Sequence, residues 1–345
     1  MIHTDAVVIG GGPVGLFQVF QLGLQEIHAE LIDALPHAGG QCAELYPDKP
    51  IYDIPGIPVC SGAELVERLR QQMAPMRPGI HLGQTVSHVE ATGDGQFMLR
   101  TNGDLAFQTR SVFIAGGIGA FEPRRLKLDG IESWEGRQLH YAMPAASSMA
   151  GRDVLIVGGE EPAVEAALQL SEHANAEAPA SITLVHRRDV LKADTEQIAE
   201  IEARIQAGRL RFVAGQPTAF THDGDRLAAL QLLTPESTRV ELPVDLLLVR
   251  QGLSPHLGPI ARWGLAIERK QLVVEPAGYQ TSVAGIHAVG DVNTYPGKKK
   301  LILCGFHEAT LAAFAAAARL FPERPAHLQY TTTSPRLHRI LGVAG

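Results

Sequence analysis

Two short glycine-rich segments of this chain have the residue types and spacing to do chemistry. Gly10-Gly11-Gly12-Pro13-Val14-Gly15 is a complete G-x-G-x-x-G, entered by the apolar run Ala6-Val7-Val8-Ile9. Gly158-Gly159-Glu160-Glu161-Pro162-Ala163 follows the similar run Val154-Leu155-Ile156-Val157, but carries Glu160 where the second glycine belongs. In such a turn the first glycine permits the tight bend. The second lets backbone meet a diphosphate, and the third lets the helix pack closely on its strand. The helix that follows offers unpaired N–H groups and positive potential to phosphate. Asp33, at the end of the next strand, stands where a carboxylate accepts from ribose hydroxyls. The first turn therefore implies an adenine dinucleotide, without separating FAD from NAD.

The second turn carries two opposed signals. His186-Arg187-Arg188, with Lys192, follows the second strand of its unit, where an NADP site places arginines for the 2′-phosphate and an NAD site places an acid. Glu160 acts against a diphosphate. Two like charges about 4 Å apart repel by about 1 kcal/mol in water and roughly 4 kcal/mol at an effective dielectric of 20. Pro162 is no obstacle, because proline fits the first helical turn. Weakened nucleotide binding is the expected outcome. Loss of binding and undisturbed binding, with Glu160 turned to solvent, are the alternatives.

The elements that must position these residues read as two α/β units. The first has strand 4–9, a helix over about 13–24, strand 28–32 and a helix over about 61–75. Between them, residues 34–60 form Gly/Pro-punctuated loops, long enough to suggest a functional surface. Alternating patterns near 80–90, 95–101 and 104–110 predict a small antiparallel layer, and Val112-Phe113-Ile114 a buried strand. The second unit opens with strand 153–157, helix 161–173 and strand 181–186, followed by strands near 209–214, 227–233 and 245–249. The style of the first unit returns near 270–290, so one Rossmann-type unit is inserted into another. Linkers are expected near 117–123 and 250–259.

Composition bounds the function. The chain has 345 residues, 45% hydrophobic and 19% charged, with net charge −7, which fits a globular protein of two domains. No basic stripe points to nucleic acid. The apolar stretch Ala309–Leu320 is too short to span a bilayer, and no secretory signal is read at the start, so a cytoplasmic location is expected. Fourteen histidines form no ligand spacing and no metal is expected. Cys42, Cys60 and Cys304 are widely spaced, without C-x-x-C. Residues 141–148, just before the second turn, contain no cysteine, so no local redox dithiol is available. Cys42 reads as a packed small residue.

Motifs along nearly the whole chain resemble the bacterial ferredoxin–NADP reductases of the thioredoxin-reductase fold. They are Gly39-Gly40-Gln41, Leu45-Tyr46-Pro47, Ile51-Tyr52-Asp53-Ile54-Pro55-Gly56, Gly119-Ala120-Phe121-Glu122-Pro123-Arg124, Leu257-Gly258-Pro259-Ile260, Trp263-Gly264-Leu265, Gly305-Phe306 before Glu308, and Tyr330-Thr331-Thr332-Thr333-Ser334. The resemblance implies an α/β fold of two nested Rossmann-like domains of the three-layer ββα type, with a short C-terminal extension. An FAD domain would comprise 1–117 and 278–345, and an NADP domain 118–277.

On that resemblance Gly10, Gly12, Pro13, Val14, Gly15, Asp33, Gln41, Val86, Phe121, Thr331 and Thr332 belong to an FAD site. Gly290-Asp291 would place a carboxylate on the ribityl chain, and Tyr46 and Tyr330 would stack on the two isoalloxazine faces. Asp53 would reach the flavin edge or else simply form its turn. A helix beginning near Gly305 would aim its N-terminus at the flavin. NADPH, as substrate, would be held by Gly158, Glu161, Ala163, His186, Arg187, Arg188 and Lys192, the last standing where the family has arginine. The implied activity passes electrons between NADPH and ferredoxin or flavodoxin without a redox disulfide, in a homodimer. Lys298-Lys299-Lys300, Arg336 and Arg339 are the candidate docking cations for that acidic partner. The alternatives are a related flavoprotein with impaired NADPH use, fed by another donor or acting as an oxidase, and a non-catalytic flavin-binding protein.

Overall fold

The computed structural model describes residues 1–172, 178–324 and 330–343. The chain divides into two compact units, Met1–Ala120 with Pro255–Gly345, and Phe121–Ser254. The second unit is thus an insertion into the first. The first crossing falls close to the expected 117/118 boundary. The second falls in the expected 250–259 linker rather than at 277. Residues 255–277 belong to the first unit because Ile260, Leu265, Leu272 and Val274 are buried in its core.

In the first unit, strand Ile2–Ile9 pairs in parallel with Ala29–Ile32 on one side and Ala106–Ile114 on the other, with Ile9 opposite Ile32 and Ile114. The run 104–116 expected as two strands is one. Its first part pairs antiparallel with Phe97–Thr101, and its second part pairs in parallel with Ile286–Ala288. Val86–Ala91 completes the antiparallel edge, and Gly79–His81 joins Ala29–Ile32 at the other edge. Helix α1 (Pro13–Leu24) starts at a proline, which needs no N–H there. Gly40–Glu44 forms the short α2. Helix α3 (Gly62–Met73) starts in a capping box. Ser61 Oγ accepts from Glu64 N–H at 3.1 Å, and Glu64 Oε2 accepts from Ser61 N–H at 2.8 Å.

In the second unit a five-stranded parallel sheet runs in the order Leu139–His140, Leu246–Val249, Asp153–Val157, Ser181–His186, Arg211–Ala214. Its buried strands alternate in period two. Val154 and Ile156 enter the core beneath helix α4 (Glu161–Glu172) and helix α5 (Thr195–Gln206). Leu155 and Val157 pack with Leu230 and Leu232 of the antiparallel sheet Gln216–Asp223, Arg226–Leu233, Arg239–Pro243. The result is the three-layer arrangement expected. Helix α5 was not expected; its buried Ile201 anchors a strip with Ile198 and Ile205 at helical spacing.

The chain ends in helix α6 (Ile302–Leu320), which packs on α1, and the short α7 (Pro335–Leu341), where Ser334 Oγ accepts from Leu337 N–H. Among the described residues, no helix is long and apolar enough to cross a membrane.

Candidate functional site

The three motif glycines of the first turn, Gly10, Gly12 and Gly15, differ in their surroundings. Gly10 has φ +108°, and a Cβ there would lie 2.4 Å from Ala115 O. A Cβ on Gly15 would lie 1.8 Å from Gly10 O, so both are fixed by packing. Gly12 is different. A Cβ there would meet only Gly40 Cα, at 3.8 Å. Among the described residues nothing demands glycine at that position, so the turn leaves room there for a close approach by a diphosphate. Helix α1 behind it has no side-chain cap and no acid in its first turn, so its amides remain available to an anion. Asp33 is buried and accepts from Gly11 N–H and, at 2.7 Å, from Leu35 N–H. Burial raises its pKa against the opposing pull of those amides. Both oxygens keep a second lone pair for a ribose hydroxyl.

Gln41 approaches the loop after the third strand: a Cβ on Gly117 would come within 3.3 Å of Gln41 Nε2. Tyr46 is half-buried, and its hydroxyl faces the Cys42 thiol at 3.9 Å. Burial holds the Tyr46 phenol well above its usual range, with Cys42 and then Asp291 adding to the effect. Cys42 and Cys60 are buried, and burial raises both thiols, which argues for packed, unreactive groups. Asp291 is raised by burial and pulled back by Lys298 and Lys300. Val14, in the first turn of α1, faces Gly290 and Gly305: a Cβ on Gly290 would be 3.3 Å from it, and one on Gly305 2.4 Å. Val14 of the first turn thus lies beside Gly290, and Asp291 is close enough to act on the charge of Tyr46. Val86 is buried in the same unit; Asp53 is exposed just before the Ile54–Ile57 turn. The Phe121 side chain lies outside the described residues.

The expectations for Gly305, Lys298 and Arg336 need correction. Helix α6 begins at Ile302, and Gly305 sits inside its first turns as a packing glycine against Val14 rather than at its tip. Lys298 is not a surface docking cation. Its side chain is 7% exposed and pairs with the fully buried Glu308. Tyr330 lies in the C-terminal turn that leads into α7. It is 64% exposed, and its carbonyl accepts from Ser334 N–H at the entrance to α7, in the same turn as the exposed Thr331 and Thr332. Arg336 of α7 pairs at 2.6 Å with Glu26, just beyond the C-terminus of α1, so it too is committed. That end of α1 is about 18 Å from the glycine turn, twelve residues away. Lys299, Lys300 and Arg339 remain exposed.

The second turn repeats the first with two motif positions changed, Glu160 and Ala163. A Cβ on Gly158 would lie 2.3 Å from Arg250 O, the counterpart of the Gly10–Ala115 contact, and buried Ala163 fills the third glycine position. Gly159 packs on His186, whose ring carbons are 2.2 Å from where its Cβ would stand. Glu160 is exposed, and its carbonyl accepts the Ala163 and Val164 amides at the head of α4. Its carboxylate bends toward Gly252, 3.6 Å from where a Cβ there would be. Glu161 adds a second acid to the first turn of α4. The contrast with α1 is electrostatic: one helix leaves its positive end open, and the other has two carboxylates there.

The basic segment folds onto this turn. Lys192 N–H donates to Gly159 O at 2.8 Å, and His186 Nδ1 contacts Val190 O at 3.1 Å. Arg187, Arg188 and Lys192 are exposed. Burial and then the two neighbouring arginines lower the His186 pKa, so the imidazole is neutral at physiological pH and the arginines carry the charge. Sequence reasoning missed two contributors. Arg250 lies beneath the turn, donating to Pro162 O and Tyr141 O at 3.3 Å each. Glu308 was seen only as part of a motif; a lone carboxylate in an alanine-rich apolar helix is the signal that could have found it.

Comparison with known proteins bears on the family and the fold. The family model "Pyridine nucleotide-disulphide oxidoreductase" matches residues 4–316. The chain is 55% identical to ferredoxin–NADP reductase of Paracidovorax citrulli (strain AAC00-1), covering 100% of this chain and 98% of that protein. It is 52% identical to ferredoxin–NADP reductase of Methylibium petroleiphilum (strain ATCC BAA-1232 / LMG 22953 / PM1), covering 99% and 93%. Among solved structures, thioredoxin reductase of Lactococcus lactis (FR conformation) superimposes with a TM-score of 0.64 over 93% of this chain and 100% of that chain, at 23% identity.

Proposed function

This chain belongs to the ferredoxin–NADP reductases, within the pyridine nucleotide-disulphide oxidoreductase family, and on that premise we propose that it passes electrons from NADPH through FAD to ferredoxin or flavodoxin. The observation that carries this reading is the contrast between the two turns. The first keeps open space at Gly12 and an acid-free helix end for the FAD diphosphate, and the second keeps an arginine pair folded beside it for NADPH. FAD, when bound, takes a hydride from NADPH and gives up electrons one at a time.

The residues of this chain supply position and charge. Gly12 and the first amides of α1 would seat the diphosphate, Asp33 the adenosine ribose, and Asp291 the ribityl chain. Tyr46 would form an aromatic wall; its raised pKa keeps it protonated throughout the neutral range. Gln41, Val86, Phe121 and Asp53 complete the proposed FAD site. Tyr330, Thr331 and Thr332 remain in the proposal only as residues of the exposed C-terminal turn. Gly158, Glu161, Ala163 and neutral His186 would line the NADPH seat. Arg187 and Arg188 would grip the 2′-phosphate bidentately, with Lys192 as a point charge. No protein nucleophile is needed. The buried Cys42 and Cys60 support electrons leaving the flavin directly. Exposed Lys299, Lys300 and Arg339 are the cations left for an acidic carrier. The homodimer and the cytoplasmic location belong to the same proposal.

Anaerobic mixing of the FAD-loaded protein with NADPH tests it. Bleaching of the flavin, followed by reoxidation on adding ferredoxin or flavodoxin, is the expected result; a flavin that stays oxidised at millimolar NADPH refutes it. Glu160 favours one alternative, a flavoprotein with weakened NADPH use. On that reading a dithionite-reduced flavin still passes electrons to the carrier while NADPH reduces it slowly.

A further inference from the structure

Gly290 is held on both sides by one buried ion pair. Its N–H donates to Glu308 Oε2 at 2.7 Å, and its carbonyl accepts from Lys298 Nζ at 2.9 Å. Lys298 Nζ in turn donates to Glu308 Oε1. Glu308 is 0% exposed and also accepts from Asn293 Nδ2 at 2.8 Å and Tyr295 OH at 3.0 Å. The residue so clamped has φ +78° and directly precedes Asp291, whose carbonyl accepts from Gln271 Nε2 at 3.0 Å. The backbone on both sides of the Asp291 side chain is thus fixed. A buried ion pair is weak support for stability, because desolvation offsets the attraction. Its placement around one peptide calls for another explanation.

We propose that Glu308 and Lys298 are positioning residues for the flavin: together they clamp Gly290 so that Asp291 is presented in a single orientation, and their opposed charges set the local potential at the cofactor. This rests on the reading of the first unit as the FAD site. Removing one charge leaves the other uncompensated in a buried setting, so the two removals act on reduced, anionic flavin with opposite signs.

The test is the midpoint potential of the purified holoenzyme, titrated spectroelectrochemically, with the rate of FAD release as a second readout. E308Q is expected to raise the potential, K298M to lower it, and K298R to leave it at the wild-type value. Each charge-removing variant is expected to release FAD about tenfold faster, as for loss of one partner in a buried charged hydrogen bond. A merely structural clamp would lower thermal stability without moving the potential, or would move it in the same direction in both variants; either result overturns the proposal. Should K298M fail to fold, E308Q and K298R decide: an unshifted E308Q, or a K298R shifted as far as E308Q, overturns it. A wild-type protein that takes up no FAD refutes the underlying reading and the proposal with it. A flavin-bearing wild type with unshifted variants refutes the proposal alone.

Discussion

Lys192 lies beside Glu160 across a parallel β-bridge, its amide donating to the carbonyl of Gly159 at 2.8 Å. A cation suited to phosphate and an anion opposed to it thus flank the same turn. Glu160 is exposed, so its repulsion of a diphosphate is closer to the aqueous limit than to the buried one. Glu160→Gly is therefore expected to tighten NADPH by about 1 kcal/mol, about fivefold. Glu160→Gln should recover most of that gain, because the repulsion is that of the carboxylate charge. The gain should shrink as salt rises. Equilibrium titration of the three proteins at two ionic strengths checks this, and equal affinities would mean that the turn accommodates glutamate.

Arg187 and Arg188 should decide between NADPH and NADH. Each is exposed, beside an imidazole held neutral by burial, so with Lys192 they are the exposed cations that the basic segment offers to a 2′-phosphate. A charge-assisted hydrogen bond contributes about 1.5–3 kcal/mol. Replacing both arginines by alanine is expected to raise the KM for NADPH more than tenfold and to leave the KM for NADH nearly unchanged. Steady-state reduction of an artificial acceptor with each nucleotide measures it; a parallel rise in both would place the arginines in a structural role.

Both glycine turns were legible in the sequence because the constraint is local. Gly10 and Gly158 each face a carbonyl within about 2.4 Å of where a Cβ would stand, and no other residue type fits. The strands were legible where two-sided burial leaves unbroken apolar runs, as in Val154–Val157. Helix α5 was not, because only Ile201 of its twelve residues is buried and the charged faces mask the strip. The Lys298–Glu308 pair was also hidden. A Lys-Lys-Lys run reads as a solvated face, and which lysine turns inward depends on a helix that follows it in the chain. The setting of Tyr330 was hidden for a similar reason: the nearby pairing of Arg336 with Glu26 is non-local.

Gly305 offers a test of how tightly α6 is seated on the first turn. Glycine to alanine inside a helix ordinarily gains about 1 kcal/mol. Here the new methyl would stand 2.4 Å from Val14 Cγ2, and overpacking costs about 1–3 kcal/mol. Gly305→Ala is expected to lower stability by about 1 kcal/mol in urea unfolding and to weaken FAD retention, since Val14 follows Gly12-Pro13. Adding Val14→Ala should restore much of the retention, a coupling that two independent sites would not show.

His287 should make the first unit sensitive to acid. Its ring stacks on Phe113 at 4.9 Å, and Nδ1–H donates to Gly278 O at 2.8 Å, while Nε2 has no hydrogen-bond partner among the described residues. Burial, aided by the charge of Arg319, lowers its pKa from 6.5 to about 4. Between those values the unfolded chain binds a proton that the folded chain refuses, so stability falls as pH drops from 6.5 toward 4 and is fully present above 6.5. The shift corresponds to roughly 3 kcal/mol. Asp33 and Asp291, both raised by burial, act in the opposite direction at lower pH, because their protonated forms are favoured in the folded state. His287→Phe removes the titrating group but leaves Gly278 O unpaired, so it should be less stable than wild type at pH above 7. Its loss of stability between neutral pH and about pH 4.5 should be smaller than that of wild type by about 2 kcal/mol. Urea unfolding at both pH values decides: parallel losses in the two proteins would show that the ring does not govern the acid response.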